Sequence, residues 1–198
     1  MLMWLGLLML KRIFCIKTSF SVGITLKEED ELIDVRLTDG EDNVVLVTKK
    51  GLSITFDEKD VRPVGRAAQG VIGIKLDDGD SVIGMEPIIT GNTNATLLAI
   101  TENGFGKRTE LEEYRVQNRG GRGVITYKIT PKTGEIVGIK IVSGTEDVIL
   151  ITDTGTIIRL NSSEISVLGR ATQGVTLMRT NDGKVVSIEK IVEENDEE

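Results

Sequence analysis

Three glycines, Gly51, Gly104 and Gly155, follow one another at intervals of 53 and 51 residues. A second set, Gly70, Gly123 and Gly174, keeps the same two intervals. Two landmarks that drift together along a chain mark an internal repeat, and repeats of this length build propellers, solenoids or arrays. Each repeat carries short apolar runs separated by turn signals. Val44–Thr48, Leu52–Phe56, Val71–Leu76 and Ser81–Met85 form the first set, and Thr96–Thr101, Phe105–Thr109, Val124–Thr130 and Glu135–Val142 the second. Asp147–Thr152, Thr156–Leu160, Val175–Arg179 and Lys184–Val192 form the third. The β-branched content and alternation of these runs predict strands. The dipeptides ending in glycine between them predict tight turns. Each repeat is therefore expected to make one four-stranded antiparallel blade, with the repeats at about 43–89, 94–142 and 146–192. A single blade cannot bury both of its faces, so the blades must stack.

Composition agrees with an all-β array. Aromatic residues make up 4% of the 198, so Val, Ile and Leu must fill the core, and 22 glycines against 3 prolines fit many tight turns. Histidine is absent and Cys15 is the only cysteine, which excludes a disulfide framework or a Cys/His zinc site within one chain and fits a reducing, cytoplasmic setting. The net charge of −7 is unevenly spread: the acidic tail 193–198 holds five acids, and without it 26 acids face 24 bases. Between Thr101 and Thr130 the bases outnumber the acids, six to four. A local basic face on a near-neutral body can bind DNA.

The ends stand apart from the repeats. Residues 1–18 open with a ten-residue apolar run followed by Lys11 and Arg12. That run is too short to span a bilayer, and its charge lies on the wrong side for a secretory signal, so no membrane role is expected. Ser19–Leu26 and Leu32–Leu37 predict further strands before the first repeat. The connection Asp57–Val61 has the polarity and length for one helical turn.

The candidate site is the loop Gln117–Val124, which packs three glycines and two arginines into seven residues. Arginine between glycines can present its forked donors to phosphate oxygens, and bare N–H groups in such turns can cradle an anion. Related loops stand at Gly65–Val71 and Gly169–Val175. Arg66, Arg122 and Arg170 are read as one position per repeat, forming a continuous basic rim, with Lys50, Lys107 and Arg108 bordering it. Arg115, Gln117 and Arg119 complete the set. The opposing expectation is that these arginines pair with nearby acids and hold the blades together. Tyr114 is read as a packing residue rather than a nucleophile. Asp77, Asp78 and Asp80 are read as a hairpin turn, because their spacing is not that of a calcium loop. No catalytic residue, metal site or cofactor is expected.

The stretches DELIDVRLTDG (30–40), DVRPVGRAAQGVIGIK (60–75), TENGFGKRTELEEYRVQNRGGRG (101–123) and LITDTGTIIRLNSSEISVLGRATQGVTL (150–177) resemble the C-terminal β-pinwheel domain of the bacterial DNA gyrase A subunit, with coverage from about Ser19 to Val192. The family's heptapeptide, Gln-Arg-Arg-Gly-Gly-Arg/Lys-Gly, is matched by Gln117–Gly123 except at Asn118. By its flanks, this copy is similar to the degenerate fifth-blade version. The resemblance implies a partial β-pinwheel, spanning the end of blade three and blades four to six, that binds and wraps double-stranded DNA in support of negative supercoiling. It also implies no catalysis by this region itself, which would serve an ATP-dependent topoisomerase together with the rest of the gyrase A polypeptide and with gyrase B. The alternatives are the related region of topoisomerase IV and a propeller-like protein-interaction scaffold.

Overall fold

In the computed structural model the described residues are 24–28, 30–65, 68–92, 94–180 and 183–191. The expectations for residues 1–18, for most of Ser19–Leu26 and for the acidic tail lie outside them. The strands are β1 (Asn43–Thr48), β2 (Leu52–Asp57), β3 (Val82–Ile88), β4 (Thr96–Thr101), β5 (Phe105–Glu110), β6 (Val124–Ile125), β7 (Ile136–Val142), β8 (Asp147–Thr152), β9 (Ile157–Asn161), β10 (Val175–Thr176) and β11 (Val185–Ile191). Short 3-10 turns follow β2, β5 and β9, at Glu58–Asp60, Leu111–Glu113 and Ser162–Glu164. All strand pairs within the sheets are antiparallel, and the architecture is all-β.

The sheets correct one expectation. Their strand orders are β3-β1-β2-β6, β10-β5-β4-β7 and β11-β8-β9. The outer strand of the first sheet, β6, belongs to the second repeat, and that of the second sheet, β10, to the third. The fourth strand of a blade is thus lent by the next repeat, and the lent piece is short: only Val124 and Ile125 pair with Ser53 and Leu52. The physical reason is that β2 and β5 offer an unpaired edge, and the following glycine loop delivers an extended segment onto it. Val71–Leu76, the equivalent segment of the first repeat, forms no strand: its side chains pack on the first core cluster, and its backbone is bonded by the glycine loop, with Gly120 N–H on the Gly73 carbonyl and Lys75 N–H on the Gly121 carbonyl. Leu32–Leu37 likewise forms no strand, and its apolar side chains stay largely exposed.

The register explains the core. β1 is buried along nearly its whole length because both of its faces are covered. Val44 and Leu46 pack with Ile54, Phe56, Val82 and Met85, whereas Val45 and Val47 point the other way, against Leu97, Ala99 and Tyr127 of the second repeat. A third cluster joins Leu98 and Ile100 to Val148, Leu150 and Ile188. The inner strands β3, β7 and β11 pack against one another in turn. This needs Gly138: a Cβ there would lie 2.2 Å from the Ile188 Cγ2.

Candidate nucleic-acid interface

Seen in the glycine register, the candidate cations divide into those held between the repeats and those that stay exposed. Arg119 donates from Nε to the Asp60 carbonyl (2.9 Å) and from an Nη to the Ile72 carbonyl (3.0 Å). Arg170 repeats the pattern one sheet on, reaching the Ile125 carbonyl at 3.3 Å while its own N–H donates to the Glu113 carboxylate at 3.0 Å. Asp60 and Glu113, and Ile72 and Ile125, are equivalent positions, so Arg119 and Arg170 share one staple to the isoleucine carbonyl, while the Nε bond to a carbonyl is made by Arg119 alone of the two. This corrects the register: Arg119, not Arg122, stands opposite Arg66 and Arg170. Arg66 itself lies outside the described residues.

Lys107 and Arg108 are also engaged. Lys107 is 1% exposed and occupies the place of Ile54 and Ile158 in the other sheets. Its Nζ donates to the carbonyls of Gly169 (2.6 Å) and Arg170, over the Tyr127 ring. Burial pulls its pKa down to about 8, with the nearby Arg170 charge adding to the fall and Glu113 opposing it. Lys107 is therefore no rim cation, because the incoming loop covers it. Arg108 donates from Nε to the Ile165 carbonyl (2.8 Å), and its backbone bonds Ser166 and Leu168. Gln117 is half-buried, with its N–H on the Thr55 carbonyl at 2.8 Å.

Three of the expected residues stay exposed. Arg122 has 72% of its side chain in solvent and pairs only with the exposed Asp77, at 2.9 Å. Lys50 is exposed and donates to the Asp78 carbonyl at 2.7 Å, and Arg115 is exposed. Asp77, Asp78 and Asp80 do form a turn; Asp80 accepts the N–H groups of Lys50 and Ser81, each at 2.9 Å. Tyr114 is buried, its hydroxyl 2.6 Å from that of Thr126, so it is not an accessible nucleophile.

The residues that sequence reasoning passed over are Lys75, Lys128 and Arg179. They lie at one position in the glycine register, 53 and 51 residues apart, and all are exposed. The backbone shows the equivalence: Lys75 N–H donates to the Gly121 carbonyl at 2.8 Å and Lys128 N–H to the Thr172 carbonyl at 3.0 Å. Their side chains make no hydrogen bond or ion pair among the described residues. The signal was available in the repeat spacing but was overshadowed by the arginine-glycine loop beside it.

A chain of antiparallel sheets that pass their outer strand from one repeat to the preceding one defines a β-pinwheel, here with one exposed cation at the same place in each repeat. A family model described as DNA gyrase C-terminal domain, beta-propeller, matches residues 21–39, 42–89, 95–143 and 146–191, and the chain belongs to this family. It is 47% identical over 176 residues to the DNA gyrase A protein of Staphylococcus epidermidis, a match that covers 88% of this chain and 20% of that protein. Against the Staphylococcus aureus gyrase A protein the identity is 45% over 178 residues, 89% of this chain and again 20% of the relative. The chain thus spans about a fifth of the length of these relatives. Among solved structures it is similar to the C-terminal domain of DNA topoisomerase IV, with TM-score 0.80, 29% identity, and coverage of 85% of this chain and 52% of that one. The DNA gyrase A C-terminal domain gives TM-score 0.73 and 28% identity, covering 78% of this chain and 52% of that one. Among the described residues no helix is long and apolar enough to cross a membrane.

Proposed function

We propose that residues 19–192 form a partial pinwheel that binds and wraps double-stranded DNA as the non-catalytic C-terminal region of a gyrase A protein, supporting negative supercoiling. The observation that carries this reading is the recurrence of the exposed cations Lys75, Lys128 and Arg179, joined on the surface by Lys50, Arg115 and Arg122. One cation group per repeat can meet the phosphates of a duplex bent along the array. Contacts to phosphate position DNA and carry no sequence information, which is what wrapping requires. Bending a 20–30 bp site by 40–90° costs on the order of 1–6 kcal/mol, so several phosphate contacts must offset it. In this reading the region works in the cytoplasm with the rest of the gyrase A polypeptide and with gyrase B, as part of an ATP-dependent topoisomerase. The 44–47% identity to gyrase A proteins supports the gyrase reading, while the fold is matched at least as well by the topoisomerase IV domain, which stays the alternative.

The test is a salt titration of binding to a ~40 bp duplex by the chain and by its K75A/K128A/R179A variant. Each lost phosphate contact removes roughly 0.9 from the slope of log affinity against log salt, so the triple variant should flatten it by about 2–3 units without changing sequence preference. Equal slopes for the two proteins would refute the reading. Absence of salt-dependent binding by the parent would favour a protein-interaction scaffold instead.

A further inference from the structure

The first repeat holds a group of acids that DNA contact does not use. Asp39, Asp42 and Glu58 each place a carboxylate oxygen within 4.8 Å of the others. Glu58 is fully buried and Asp42 nearly so, while Asp39 faces solvent. The Asp42 N–H donates to the Glu58 Oε1 at 2.8 Å, which turns that carboxylate toward Asp42, and its other oxygen, Oε2, is buried and accepts nothing. No lysine or arginine pairs with Asp42 or Glu58 among the described residues; the neighbouring Lys59 pairs with Glu41, at 2.7 Å. Burial, with Asp39 and Glu58 close by, holds the Asp42 carboxyl above its ordinary value despite the Thr90 N–H that it accepts.

Two adjacent buried carboxylates without a counter-charge are costly, and buried charges in proteins are paired or coordinate metals. The equivalent positions carry no such group: Ala95 and Leu111 stand there in the second repeat, Glu146 and Ser162 in the third. The acids therefore do not follow from the demands of the blade. We propose that Asp39, Asp42 and Glu58 form a binding site for a hard divalent cation, with calcium preferred. An all-oxygen carboxylate set selects such ions, and calcium's ligand distance of about 2.3–2.6 Å lets two of its ligands lie up to about 5 Å apart, further than magnesium allows. The cation ties together two segments: the turn before β1, which carries Asp39 and Asp42, and the 3-10 turn after β2, which carries Glu58. It therefore acts on stability and not on chemistry.

The experiment is isothermal titration of the chelator-treated full chain with calcium chloride and with magnesium chloride, paired with thermal unfolding in each. The expected result is one calcium per chain, weaker magnesium binding, and a rise in Tm with calcium. Asp42→Asn and Glu58→Gln should lose both responses, while Glu112→Gln, an exposed acid elsewhere, keeps them. Asp39→Asn, at the exposed end, should weaken binding and keeps the test open if a buried substitution unfolds the chain. Absence of stoichiometric binding, or binding unchanged in Asp42→Asn, Glu58→Gln and Asp39→Asn, would overturn the proposal.

Discussion

Lys107 shows how little a residue's type says about its job. Beside a tight turn, it reads as a surface cation; in the folded chain it fills an isoleucine position and caps two carbonyls of the loop above it. Its amine titrates near 10.5 when unfolded and at about 8 when folded. Between these values the unfolded chain holds more protons, so this residue's contribution to stability rises with pH. The cost of its buried charge, on the order of 3 kcal/mol, is present in full below about pH 8 and is relieved toward pH 10.5. Urea unfolding of the parent and of Lys107→Met across pH 7–10 should therefore show the difference in stability moving in the parent's favour as pH rises. A flat difference would mean that the ammonium is not desolvated. The arginines were legible differently: the repeat register alone distinguishes Arg119 from Arg122, but only the carbonyls that Arg119 and Arg170 reach reveal that they are staples.

At the scale of elements, the lent strands set the design. Gly51 and Gly104 close the β1–β2 and β4–β5 hairpins, and each carbonyl accepts two N–H groups from the next repeat: Thr126 and Tyr127 on Gly51, Leu177 and Met178 on Gly104. Gly155 closes the third hairpin with nothing against it among the described residues. All three have positive φ, so alanine strains each turn. Gly155→Ala should cost about 1–2 kcal/mol, the strain alone. Gly104→Ala should cost a further 1–3 kcal/mol or so, because its Cβ would lie 2.3 Å from the Met178 carbonyl oxygen. Chemical denaturation of the two variants reads the difference; equal losses would mean that the next repeat's strand does not sit on Gly104. Gly138→Ala, which drives a methyl into Ile188, should cost about 1–3 kcal/mol with no backbone strain and lower Tm accordingly. The same logic explains β9, whose outer edge carries no strand among the described residues and whose Ile157 is 63% exposed, where its counterpart Ser53 is fully buried.

Across the whole molecule, ion pairs between repeats help to fix their order. Lys49 pairs with Glu135 at 2.8 Å, and at the equivalent place Glu102 pairs with Lys184 at 2.7 Å, with the charges exchanged. Each is exposed enough to add little stability, but a reversed pairing would set like charges together. Net charge acts at this scale too. The five acids of residues 193–198 oppose a polyanionic partner. Deleting that tail should strengthen DNA binding severalfold at low salt, and the gain should fade as salt screens it. Binding measured at two salt concentrations checks this, and an unchanged affinity at low salt would show that the tail does not compete.

Most of the strands, the turn positions and the all-β array follow from local chemistry: β-branched alternation, glycines at the turns and a register repeated three times. These depend on neighbours a few residues away, so the sequence carries them openly. The runs Leu32–Leu37 and Val71–Leu76 have the same local pattern yet form no strand. What only the tertiary structure decided is which repeat completes which sheet, and therefore which cations are left exposed. The lending of β6 and β10 spans more than sixty residues and leaves no local mark. Burial of Lys107, the stapling by Arg119 and Arg170, and the meeting of Asp42 with Glu58 all arise where distant segments close on one another. A side chain's exposure is set by what covers it, and that cover is brought by chain remote in sequence.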